Sequence, residues 1–291
     1  MTVYGETALH VVTSARPSGD VAFGKVAVTV GGPAAVVAAQ LAHLGNRPAL
    51  VSQVGADPEG AFILDALQQS GVDCGSINRA GRTGRIVAAV EDGAVELAVD
   101  MTGAAGVITA ENLSLPATDL VYVTGFPSLV PVVQHLAANG HRLTVDLGFI
   151  PLLHDPPALM KHVEQLAPAI DVAIISGAQL NPADRRRLTE ICFDAGASVV
   201  LMTLAEAGVQ VRTRDQSAAL PAVPVQLVDP LCAGDAFVGG FLSARARGEH
   251  VFDAAAYGQL VAAAKVSRFG VLPSAKDVQG LQGDTLEETK A

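Results

Sequence analysis

The chain has 291 residues, half of them hydrophobic and only 16% charged, which is enough apolar material for one large α/β domain or two small ones. Its net charge of −10 argues against a nucleic-acid-binding or anionic-membrane-binding surface. With no Trp and 4% aromatics, stacking platforms for sugars or bases are few. No apolar run reaches the roughly 18 residues of a membrane span, and residues 1–5 lack the basic and apolar regions of an export signal. A soluble, cytoplasmic protein is therefore expected. Cys74, Cys192 and Cys232 are widely spaced without a CxxC pair, which fits a reducing compartment and offers no zinc site.

In chain order, residues 2–12 read as one apolar strand. His10 falls near its C-terminal end, where open α/β sheets bind ligands, although a lone histidine there is more often a packing residue. Residues 14–20 are turn-like and 21–30 read as a strand. Gly31-Gly32-Pro33 then breaks the chain before a helix over 34–44 that ends at Gly45. Paired glycines allow close approach to a ligand, but the spacing is not that of a dinucleotide fingerprint. A strand over 49–54 and a helix over 61–69 come next. Residues 85–90 and 94–99 read as strands joined by a hairpin at Glu91-Asp92-Gly93. Together with 21–30 they predict a small antiparallel sheet projecting from the main body.

Strands near 120–124, 142–146, 172–175 and 198–202 then alternate with helices near 130–138, 161–166 and 184–195. This order predicts a doubly wound, mostly parallel sheet with ligands at the strand C-terminal ends. A last helix covers 257–268, and 280–291 read as a frayed polar tail. No repeat or linker divides the chain. The expected organisation is one domain over 1–291 with lid strands at about 12–30 and 84–102.

The stretch from Val228 to Phe237 organises the rest. Residues 223–228 read as a short strand and 236–246 as a helix of small and apolar residues. Between them Cys232-Ala233-Gly234 makes a turn of little bulk, and Asp235 falls in the helix's first turn. Unpaired amides and the positive end of the helix dipole suit an anion such as phosphate. Asp235 is then either a base for an attacking hydroxyl or a carboxylate that merely stabilises a helix start. Cys232, at the same helix start, predicts a thiol of lowered pKa; the alternative is a buried small residue.

A set of landmarks, in order, resembles the ribokinase / phosphofructokinase-B family of sugar and nucleoside kinases. They are Gly31-Gly32 before a helix ending Leu44-Gly45; Val54-Gly55-Ala56-Asp57 with Gly60 and Gly71-Val72-Asp73; Thr203-Leu204-Ala205-Glu206-Ala207-Gly208; and Asp229-Pro230-Leu231-Cys232-Ala233-Gly234-Asp235-Ala236-Phe237. The resemblance covers roughly residues 3–278. It implies a three-layer α/β/α sandwich with a β lid, often a homodimer. It also implies ATP and Mg²⁺, in some relatives a monovalent cation such as K⁺, and a small hydroxylated substrate.

By position, the resemblance makes Asp235 the general base and the backbone of Cys232, Ala233 and Gly234 the anion hole. Thr203, Ala205 and Gly208, with Gln259 and Ala263, would form the nucleotide pocket. His10, Gly31, Gly32 and Val36 would face the acceptor. Gln179 and Asp229 fall at metal positions, Asp229 with the 267–274 loop being where relatives hold the monovalent ion.

Relatives usually carry Asp at the position of His10 and Asn at that of Val36, both bonding sugar hydroxyls. Their replacement predicts a less hydroxylated or partly apolar acceptor, a nucleoside or a specialised metabolite. The family's Asn-x-x-Glu stands as Ser176-Gly177-Ala178-Gln179, which removes a carboxylate from the Mg²⁺ environment. Ala205 and Cys232 replace glycines, which predicts negative φ at both. Asp146-Leu147-Gly148 lacks an asparagine that often follows that Asp. Two functions fit: an ATP-dependent phosphotransferase acting on a hydroxyl, or a non-catalytic ligand-binding or regulatory protein on the same scaffold.

Overall fold

The computed structural model describes residues 1–14, 24–91, 94–100, 108, 113, 118, 120–148, 154–270 and 272–288. Short apolar strands build the main sheet: β1 (Thr2–Tyr4), β4 (Ala49–Val54), β5 (Ile77–Arg79), β8 (Val121–Thr124), β9 (Leu143–Asp146), β10 (Ile170–Ser176), β11 (Val199–Thr203), β12 (Val209–Thr213) and β13 (Ser217–Leu220). Their spatial order is β13-β12-β11-β10-β9-β8-β1-β4-β5. All pairs are parallel except β11–β12 and β12–β13. β1 and β8 are buried along their whole length, as strands covered on both faces are. The chain builds outward from β1 in both directions, so the order reverses beside β1 and β8, where such sheets open a crevice.

Helices cover both faces: α1 (Pro33–His43), α2 (Pro58–Ser70), α3 (Val130–Ala138), α4 (Pro156–Leu166), α5 (Pro182–Ala195), α6 (Ala233–Ala246), α7 (Val251–Val266) and α8 (Ala275–Glu288). Val3 and Tyr4, adjacent in β1, enter opposite cores, as the two-residue period of a strand requires. Val3 packs with Leu41, Ile63 and Phe241 of α1, α2 and α6. Tyr4 packs with Val132, Leu159 and Leu188 of α3, α4 and α5. The fold is thus α/β, a mostly parallel mixed sheet between helical layers. Among the described residues no helix is long and apolar enough to cross a membrane.

A second sheet, in order β3-β2-β6-β7, contains β2 (Ala8–Thr13), β3 (Val26–Gly31), β6 (Gly84–Glu91) and β7 (Ala94–Asp100). Several expectations change here. Residues 2–12 are two strands in two sheets, separated at Gly5-Glu6-Thr7, because a continuous apolar run hides a change of sheet. His10 therefore lies on the lid rather than at the end of a main-sheet strand. The lid is also mixed, since β2 runs parallel to β6. The expected hairpin tip at 92–93, the segment 15–23 and residues 101–102 lie outside the described residues.

Residues 223–228 form no strand. Pro221 and Pro224 supply no N–H, and the Val228 amide is taken by Val266 O at the end of α7 rather than by a strand. The predicted frayed tail is instead helical up to residue 288. Ser274 and Asp277 cap α8 reciprocally: Ser274 Oγ donates to Asp277 Oδ2 at 2.7 Å, and Asp277 N donates to Ser274 Oγ at 3.4 Å.

Candidate active site

The turn before α6 is anchored from below. The amides of Val228 and Asp229 donate to Val266 O at 2.7 and 3.0 Å, tying this segment to the end of α7. Asp229 Oδ1 accepts Leu231 N at 3.0 Å, while Oδ2 accepts Gly270 N and Lys265 Nζ, each at 2.9 Å. Cys232 is the N-cap of α6 with φ 60° and ψ 17°, and Ala236 N donates to its carbonyl at 2.9 Å. The negative φ expected at Cys232 and Ala205 is thus overturned: both are left-handed, Ala205 at φ 50°. The chain must reverse sharply at each point, and the turn geometry prevails over a side-chain cost of about 1–2 kcal/mol. Ala233 N is taken by Pro230 O at 3.2 Å, which withdraws it from the expected anion hole, and Ala236 N is taken by Cys232 O; Gly234 and Asp235 carry the amides that a helix start leaves without an intrahelical partner.

The lowered Cys232 pKa is overturned too. Burial, and then the charge of Asp235, hold the thiol well above its usual range. Its Sγ lies 3.8 Å from His10 Nδ1. Asp235 itself is half-buried in the first turn of α6, and burial followed by the charge of Asp146 raises its pKa to about 7.

Asp146 ends β9, where it accepts Gly148 N at 2.8 Å, and burial raises its pKa to about 6. Glu6 follows β1 and accepts Thr124 Oγ1 at 2.6 Å, and burial raises its pKa to about 7. Its other oxygen, Oε1, is buried and unpartnered among the described residues. Burial, followed by the charges of Asp146, Asp235 and Glu6, holds the buried Tyr122 hydroxyl well above its usual pKa, and Tyr122 donates to Asp146 Oδ2 at 3.5 Å.

Within the lid, His10 of β2 lies over Gly31, the last residue of β3, so closely that a Cβ there would run into its ring. Burial lowers the His10 pKa to about 4, leaving a neutral imidazole. Gly32 caps α1 at φ 82°, and a Cβ on it would sit 2.5 Å from Glu6 O. Val36, on the first turns of α1, is buried and lines a cavity of about 310 Å³ together with Val28, Val30, Phe62, Leu231 and Cys232.

On the other side, Thr203 ends β11 and its carbonyl accepts Gly177 N at 2.8 Å. Gly208 closes the turn that starts at Ala205 and packs against Leu220–Pro221–Ala222, whose carbonyls at 220 and 221 accept Gln259 Nε2 at 3.4 Å. Ala263 is buried one turn further along α7. The predicted nucleotide residues are therefore assembled around one corner. Gln179, by contrast, is exposed, while Asp229 is buried against Lys265. No group of three or more His, Cys, Asp or Glu among the described residues is placed to hold a metal. The half-buried Asp146 still suits Mg²⁺, which binds through one or two carboxylates together with substrate phosphates.

Residues 1–277 match the family described as pfkB family carbohydrate kinase. The chain belongs to this family. A ribokinase of Haemophilus influenzae is 25% identical over 261 residues, covering 85% of this chain and 84% of that protein. A cytidine kinase of Thermococcus kodakarensis is 30% identical over 235 residues, covering 75% and 81%. A putative ribokinase II from E. coli, solved in complex with ATP and Mg²⁺, shares the fold at a TM-score of 0.84 and 19% identity, covering 97% and 98% of the two chains.

In this pfkB-family chain Glu6 is a candidate site residue that the sequence pattern hides. It sits inside an apolar run that reads as one strand, and the only local signal is the glycine before it. Asp146 stands out in the sequence through the missing asparagine rather than through its own place at a strand end, where ligands bind.

Proposed function

We propose that this pfkB-family kinase transfers the γ-phosphoryl group of ATP to a hydroxyl of a small sugar-like or nucleoside acceptor with a partly apolar body. The reading treats residues 1–291 as one ribokinase-like domain with the β2-β3-β6-β7 sheet as its lid. One observation carries it: Asp235 presents a half-buried carboxylate in the first turn of α6, beside amides suited to an anion. Asp235 takes the proton of the acceptor hydroxyl as its oxygen bonds to the γ-phosphorus. The bond from that phosphorus to the β,γ-bridging oxygen breaks, and ADP leaves. A base with a pKa of about 7 is well matched to neutral pH.

Mg²⁺ would be held by Asp146 and would supply charge neutralisation at the phosphates. The neutral His10 and buried Val36 offer little to a polyol, whereas the apolar cavity accepts a hydrocarbon or base-like portion. A cytoplasmic setting agrees with three free cysteines. The test is a panel of hydroxyl compounds incubated with ATP and Mg²⁺, with products read by mass spectrometry. Asp235→Asn is expected to abolish transfer while retaining nucleotide binding. Comparable turnover by that variant would refute the role of Asp235.

A further inference from the structure

Lys265 lies at the end of α7 with its ammonium turned inward. Nζ donates to Asp229 Oδ2 at 2.9 Å and to the Asp229 main-chain oxygen at 3.2 Å, and the two side chains are only 4% and 1% exposed. Gly270 N shares Oδ2, and Leu231 N takes Oδ1. A buried carboxylate and a carbonyl that converge on one point are oxygen donors of the kind a monovalent metal ion uses. Here that point is filled by a nitrogen tethered to the protein. The residues at Asp229 and the following loop therefore do not fit the K⁺ that the family resemblance implies.

We propose that Lys265 is a built-in replacement for a monovalent metal ion, clamping the Asp229–Cys232 segment beneath the anion turn with a charge that cannot dissociate. Two observations support a role beyond packing. The clamp holds the segment that leads directly into the cap of α6. Its positive charge also opposes the pKa rises of both Cys232 and Asp235. A metal ion would give the same support only while bound.

The test uses the whole chain at fixed ionic strength, with K⁺, Na⁺ or tetramethylammonium as the only monovalent cation. Melting temperature and ATP affinity by calorimetry are the readouts, and neither requires phosphoryl transfer. The wild-type protein is expected to show ATP affinities within about twofold across the three salts and an unchanged melting temperature. Clear stabilisation or tighter ATP binding in K⁺ alone overturns the proposal.

Lys265→Ala leaves the Asp229 carboxylate buried without its counter-charge, so the melting temperature should fall on the order of 10 °C in tetramethylammonium. K⁺ should restore a substantial part of that loss. A loss identical in every salt overturns the replacement role. Lys265→Met combined with Asp229→Asn removes both charges and guards against a single variant that fails to fold. It should be indifferent to the cation, and a K⁺ response in it also counts against the proposal.

Discussion

Cys232 Sγ lies 3.8 Å from His10 Nδ1, so the lid strand β2 touches the turn that opens α6. Both groups are held uncharged near neutral pH, the thiol by burial and the charge of Asp235, the imidazole by burial. Iodoacetamide should therefore label Cys232 in the native protein at least about tenfold more slowly than an unperturbed thiol at pH 7.5. Peptide mass spectrometry over a labelling time course reads this directly. Rapid modification at position 232 would contradict it.

Asp235 must be ionised to accept a proton, and its pKa is raised to about 7. With the acceptor saturating, kcat should fall about tenfold between pH 8 and pH 6. Asp146 is the second cause of that rise, so in the absence of Mg²⁺ Asp146→Asn should lower the Asp235 pKa. Carboxylate titration by NMR in both proteins, without metal or nucleotide, checks the direction. An unmoved Asp235 titration would show that the two carboxylates do not communicate.

Stability should also depend on pH. Glu6 is raised from 4.5 to about 7, Asp146 from 3.8 to about 6 and Asp235 from 3.8 to about 7, so the folded chain keeps protons that the unfolded chain releases. Each contribution is complete below the unfolded value and is lost as pH rises through the folded one. His10, lowered from 6.5 to about 4, acts in the opposite sense and favours the fold as pH rises across that interval. Glu6→Gln removes the charge at a buried position. It should stabilise the protein by up to about 3 kcal/mol at pH 8, most of which disappears by pH 5. Urea unfolding at the two pH values is the measurement.

Ala205 is exposed and left-handed at φ 50°, so it bears a backbone penalty with no packing in return. Ala205→Gly should stabilise the protein by about 1 kcal/mol, or roughly 2–4 °C in melting temperature. A destabilised variant would mean that the methyl group makes a contact outweighing the strain.

Register places Val28, Val11, Val87 and Ala98 side by side across all four lid strands. Val87 in this row is 43% exposed, and Val28, which also edges the cavity, is 49% exposed. An apolar row on a sheet face suits a second copy of the lid, and we predict a homodimer in solution. Sedimentation should give the dimer mass for the wild type and a shift toward monomer for Val87→Glu. A monomeric wild type at micromolar concentration would exclude the pairing.

Much of the architecture is legible in the sequence because local chemistry and tertiary context agree. Residues 49–54 and 130–138 carry patterns that burial honours, and strand-forming residues in 85–90 and 94–99 announce the antiparallel β6–β7 pair. The errors arise where a local pattern cannot carry global information. An apolar run does not record which sheet it joins, so β1 and β2 read as one strand and Glu6 is hidden within it. The valines around Pro224 look strand-like, but Pro224 has no N–H and the Val228 amide is spent on Val266 O at the end of α7. The site is legible as a turn plus a carboxylate. The φ values at Ala205 and Cys232 are not, because a glycine-like conformation can be imposed on other residues by the ring of bonds around it.

The first thirteen residues stitch two sheets together, with Gly5-Glu6-Thr7 as the seam. Glu6 O accepts Ala35 N at the start of α1, and its side chain reaches Thr124 at the tip of β8. The peptide that passes from the large sheet to the small one is thus the one that carries a buried carboxylate, so the protonation of Glu6 bears directly on the seam between them.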